Sequence, residues 1–137
     1  MAGVDETAVS LGFYGDDLNP DEITAALGAT PTIGVRKGQM WVTSRGAEKI
    51  APVGSWRLRA DRQSPGNLDR QILDLLNSLN DDLAVWKDLS RRFGGRLFCG
   101  LFLATGNEGA VLEPETISAM GARGLRLDLD IYGPERD

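Results

Sequence analysis

A strand-to-helix corner near the N-terminus constrains this chain more than any other feature. The segment LGFYGDDLNPDEITAALGATPT runs from Leu11 to Thr32. Residues 7–14 alternate, with Val9, Leu11 and Phe13 on one side and Ala8, Ser10, Gly12 and Tyr14 on the other, the pattern of a half-buried strand. Gly15-Asp16-Asp17 breaks it. Asn19, or the acidic pair before it, caps a helix that begins at Pro20, where the missing N–H has no intrahelical partner to lose. Asp21 and Glu22 complement the positive helix end. Ile23, Ala26 and Leu27 form its inward stripe, Gly28 stops it, and Pro31 forbids more helix.

Further elements follow the same logic. Residues 55–60 alternate, with Trp56, Leu58 and Ala60 opposed to Arg57 and Arg59. Asn67 caps a helix that carries Leu68, Ile72, Leu75, Leu76 and Leu79 at helical spacing. Asn80-Asp81-Asp82 opens a second helix with Leu83, Trp86, Leu89 and Phe93, ended by Gly94-Gly95. One long helix kinked at Asn80 is the alternative. In residues 96–104, Leu97, Cys99, Leu101 and Leu103 share one face, and Phe98, Gly100 and Phe102 the other. Residues 114–122 read as a helix closed by Gly124. Residues 125–132 alternate most cleanly: Leu125, Leu127, Leu129 and Ile131 are expected inward, and Arg126, Asp128, Asp130 and Tyr132 outward. The hardest stretch is 29–54, a long excursion with short strands expected at 32–35 and 40–43. Loops of that length are often functional, and Trp41 argues for order.

LNPDEITAALGA from Leu18 is echoed by LEPETISAMGAR from Leu112, with Leu, Pro, Ile and Ala at the same offsets. Two β-loop-α-β halves, residues 7–60 and 95–133, with the helical pair 67–93 between them, is one account. Convergence on good helix-start chemistry is the other. Either way the expectation is one α+β domain over residues 1–137. Its sheet is mainly antiparallel with about four or more strands, helices pack on one face, and the general character is ferredoxin-like.

Function is bounded mainly by absence. The 137 residues include no histidine and one cysteine, which excludes Ser-His-Asp triads, Cys-His dyads and histidine or Cys-rich metal sites. A single thiol makes no internal disulfide and fits a reducing cytoplasm. Cys99 itself reads as an inert core thiol. The net charge of −5 disfavours a nucleic-acid partner. No apolar run approaches the roughly 18–20 residues of a membrane span, and no secretory signal is visible. No cofactor is implied.

The ordered pattern of a strand ending in G-D-D, then L-x-P-x-E-I-x-x-x-L-G, then P-T…V-R-K-G, then F-C-G-L-F and a final G-L-x-L-x-L-D-I-Y, resembles the family of domain of unknown function 4279 (DUF4279). The resemblance covers residues 9–132. It implies an α+β fold and a small stand-alone bacterial protein of immunity or regulatory type, and implies no activity, cofactor or substrate.

Candidate residues each carry two readings. Asp128 and Asp130, roughly 6–7 Å apart on one strand face, could hold Mg²⁺ or act as acid and base. Alternatively they pair with Arg57, Arg59 and Arg126 across the sheet. Asp16 and Asp17 are metal ligands or turn chemistry. Arg36 and Lys37, beside Gly38, form an anion-binding loop or a solvated turn. Phe98 and Phe102 face outward with the charged residues. They read as an RNA-stacking strand, a protein or homodimer interface, or a patch buried under residues 29–54 by Trp41. The preferred expectation is a non-enzymatic module binding a protein partner or a second copy through this face, with Tyr132 at its margin, or through the loop. The alternative is a small-ligand or metal-dependent enzyme using Asp128 and Asp130, with Arg36 and Lys37 on an anionic group.

Overall fold

The computed structural model describes residues 2–134. In chain order the elements are β1 (Ala2–Gly3), β2 (Glu6–Gly15), α1 (Pro20–Leu27), β3 (Ile33–Val35), β4 (Met40–Val42), β5 (Glu48–Ile50), β6 (Gly54–Arg59), α2 (Leu68–Asn77), α3 (Leu83–Phe93), β7 (Arg96–Phe102), β8 (Glu108–Gly109), α4 (Pro114–Ala122) and β9 (Arg126–Tyr132). The polar tail after Pro134 lies outside the described residues.

The helices start and stop where local chemistry dictates. Asn19 accepts from the Asp21 N–H, Asn67 from Arg70 and Asp82 from Ala84, which satisfies amides that have no intrahelical partner. Gly28 and Gly94 end α1 and α3 at φ 77° and 57°, a left-handed conformation that costs glycine little. The break at residues 80–82 gives two helices rather than one kinked helix.

The main sheet has the order β3-β6-β2-β7-β9. β6 is antiparallel to both β3 and β2, so β2 and β3 are parallel with β6 between them. β7 is antiparallel to β2 and parallel to β9. The sheet is thus mainly antiparallel, as expected, in an α+β fold. On one face Val9, Leu11, Phe13, Trp56, Leu97 and Cys99 meet Ile23, Leu27, Ile72, Leu76, Trp86 and Phe93 in one core. Phe13 sits edge-on to Trp56 at 6.0 Å. Two of its polar groups are paired: Trp56 Nε1 donates to Thr24 Oγ1 (3.1 Å), and Thr7 Oγ1 to Gln71 Oε1 (2.8 Å). Burial pushes the Cys99 thiol up to about 12, in keeping with an inert core thiol.

Three expectations need correction. Leu129 and Ile131 point to the helix side but are 49% and 59% exposed. β9 ends the sheet, and α4 packs against α2 rather than over β9. The 29–54 excursion holds a third strand, β5, which pairs with β4 as a hairpin of its own. Val35 and Ala51, on either side of that hairpin, are buried, while Phe98 is 42% exposed. Trp41 lies 6.0 Å from the Arg57 guanidinium instead of over the phenylalanines.

Candidate functional site

Strand alternation writes the face opposite the helices. Glu6, Ala8, Ser10, Gly12 and Tyr14 of β2 share it with Arg57 and Arg59 of β6, with Arg96, Phe98, Gly100 and Phe102 of β7, and with Arg126, Asp128, Asp130 and Tyr132 of β9. Register turns these into rows across the sheet. One row is Arg59–Ser10–Phe98–Asp128, and the next is Arg57–Gly12–Arg96–Arg126. A third is Ala8–Gly100–Asp130, and a fourth is Glu6–Phe102–Tyr132. The small residues fall in the middle, so the face is a basin. It encloses about 540 Å³ and is lined by Tyr14, Arg57, Arg59, Arg62, Arg96, Phe98, Phe102 and Tyr132 over a floor of Ala8, Ser10 and Gly100.

The rim is layered. The Tyr14 ring lies back over Gly12, where an added Cβ would stand 2.7 Å from its Oη, and the Arg96 guanidinium sits 4.8 Å from that ring. The Phe102 ring leans over Gly100 in the same way. It carries Arg62 at 4.6 Å on one side and stacks on Tyr132 at 4.7 Å and 4° on the other. Such guanidinium–ring contacts hold flat groups in order at low entropic cost.

Charge is unevenly matched. Arg96 pairs with Asp128 Oδ2 at 3.0 Å, and Arg62 with Glu6 at 3.6 Å. Tyr14, then Asp128, hold the Arg96 pKa above its ordinary value. Asp130 accepts from the Tyr132 hydroxyl, which raises the tyrosine pKa. Among the described residues, Arg57 and Arg59 form no ion pair, and the Nε atoms of Arg57 and Arg96 are buried without a hydrogen-bond partner.

Of the residues singled out from sequence, Arg57, Arg59, Phe98, Phe102 and Tyr132 line the basin, and Asp128 and Asp130 flank it on β9. Arg57 and Arg59 do not pair with those carboxylates, since β2 and β7 lie between. Arg36, Lys37 and Trp41 do not line it. Lys37 reaches Asp16 instead, at 3.3 Å on an exposed surface, and Asp16 and Asp17 belong to the turn before α1. Among the described residues no group of three or more acidic or cysteine side chains could hold a metal ion. Sequence reasoning missed Tyr14, Arg62 and Arg96 as site residues. Arg96 shares the strand parity of Phe98, a signal that was there to read. Arg62 lies in a loop and had none.

These features define an α+β domain whose open sheet face gathers arginines and aromatic rings around one basin. The chain belongs to the family described as "Domain of unknown function (DUF4279)", whose model matches residues 5–134. No curated protein and no solved structure matches it. Among the described residues no helix is long and apolar enough to cross a membrane.

Proposed function

We propose that the chain is a non-enzymatic, cytoplasmic binding module that docks an acidic protein partner on its open sheet face. The observation that carries this is the exposed Phe98 set among Arg57, Arg59 and Arg96, an arrangement typical of interface anchors. The face holds five arginines (57, 59, 62, 96, 126) against three carboxylates (6, 128, 130), on a chain whose net charge is −5. Charge complementarity therefore favours an acidic surface. It disfavours a homodimer through this face, because a two-fold axis would set arginines against arginines. Asp128 and Asp130, already engaged by Arg96 and Tyr132, are poorly placed to act as free acid and base. The strand order supports a ferredoxin-like core of β2, β3, β6 and β7 with α4 and β9 appended. Both echo corners open a parallel β-α-β crossover, which supports a duplicated unit.

A photo-crosslinking residue placed at Phe98, with one at Ile117 as control, tests the docking. The expected product forms at position 98 alone. Its captured protein, once purified, should bind the wild type and lose at least about tenfold in affinity to Arg59→Glu. Equal capture at position 117, or a product that is a second copy of the chain, overturns the reading.

A further inference from the structure

The rings on the open face follow one rule with one exception. Tyr14 lies over Gly12 with Arg96 upon it. Phe102 leans over Gly100, held between Arg62 and Tyr132. Phe98 sits in the row between them, and among the described residues no ring or guanidinium stacks on it. Its neighbour across β2 is Ser10, and beyond Ser10 stands Arg59. The Cα atoms of Phe98 and Arg59 are therefore two strand spacings apart, about 9.6 Å. Phe98, Ser10 and Arg59 all line the basin, so the floor between ring and guanidinium opens into it.

From the exposed Phe98 beside Arg57 and Arg59 in one basin we infer a small-molecule site for an aromatic phosphate monoester of mononucleotide size, its ring stacked on Phe98. This rests on the open face being a binding surface, and not on any protein partner. Arg57 and Arg59 are the two lining cations without a carboxylate, and a phosphate monoester carries close to two negative charges at neutral pH. Their planar donor forks match phosphate oxygens. The volume of about 540 Å³ lies within the usual range of ligand sites. Base-on-aromatic stacking of this kind is tolerant of ring identity, so the phosphate and the ring together define the ligand.

Calorimetry of the full chain with 5′-AMP, adenosine, phenyl phosphate and inorganic phosphate, at one salt concentration, tests the inference. AMP should bind at least about tenfold tighter than adenosine or inorganic phosphate. Phe98→Ala should lose about tenfold for AMP with an unchanged unfolding midpoint. Arg59→Ala should erase the preference for AMP over adenosine, and Phe98→Tyr should keep both affinity and preference. The inference fails if AMP gives no heat at millimolar concentration, if inorganic phosphate binds as well as AMP, if phenyl phosphate binds better, or if Phe98→Ala binds like the wild type. A protein crosslinked at position 98 with no nucleotide binding would sink this inference and leave the docking reading standing. Nucleotide binding with no crosslinked partner would do the reverse.

Discussion

The two strand-to-helix corners use nearly the same words and bury different residues. In the first, Ile23 and Leu27 of α1 are buried. In the second, Thr116 and Met120 of α4 are buried, while Ile117, the counterpart of Ile23, is 53% exposed. The buried stripe has moved by one residue, about 100° around the helix. The reason is what each helix meets. α1 lies on β3 and β6 under Trp56, whereas α4 packs sideways on α2. Local grammar decides that a helix forms; the neighbouring surface decides which side of it is inside.

Single substitutions can break that comparison. Ile23→Ala should cost about 3 kcal/mol, the ordinary consequence of emptying a filled core position. Ile117→Ala should stay within about 0.5 kcal/mol. Urea unfolding of the two variants decides it, and equal losses would mean that the stripe has not moved.

The caps differ next. Asn19 caps α1 with its side chain, but Glu113 makes no such bond. Asn19→Ala should therefore destabilise by about 1 kcal/mol, and Glu113→Ala by a few tenths at most. Thermal midpoints measured side by side would show the gap close if α4 has a hidden cap.

Smallest is the difference between the turn carboxylates. Glu108 accepts from the N–H groups of Asp5, Ala104 and Thr105. Burial alone would raise its pKa, but these donors together hold it below the ordinary 4.5. A depressed carboxyl contributes stability that is present above the unfolded value and is lost as pH falls through the lower folded value. Glu108→Gln should thus lower the unfolding midpoint at pH 7, and the gap from wild type should close as the medium is acidified below about 4. Asp16→Asn, which removes only an exposed pair with Lys37, should lower the midpoint at pH 7 by less than Glu108→Gln does. A gap that persists in acid would assign the effect to packing.

The legible parts of the molecule were those encoded within a few residues. Asn67, Asp82, Gly28 and Gly94 were readable as caps and stops because the donors and angles they serve are local. The outward parity of Phe98, Phe102, Arg57 and Arg59 was readable for the same reason. Register was not. Only the pairing of Ser10 with both Arg59 and Phe98 makes those two neighbours of one slot, and only Gly12 opposite Arg96 lets Tyr14 fold back beneath a guanidinium. The polar Glu48-Lys49-Ile50 gave no strand signal, since its pairing with residues 40–42 comes from chain reversal rather than from periodicity. Leu129 and Ile131 misled because alternation reports two faces without saying whether both are covered.

That uncovered flank has a consequence for the handling of the protein. Among the described residues β9 pairs on one side only, so it offers a row of backbone donors and acceptors beside two exposed aliphatic side chains, the kind of rim on which sheets polymerise. An antiparallel copy centred on Leu129 would bring Asp128 opposite Asp130 of that copy, carboxylate against carboxylate, on both sides of the axis. In that geometry the D-x-D pair would oppose edge-to-edge pairing, and it is the feature to leave untouched when variants are made for crystallisation or high-concentration work.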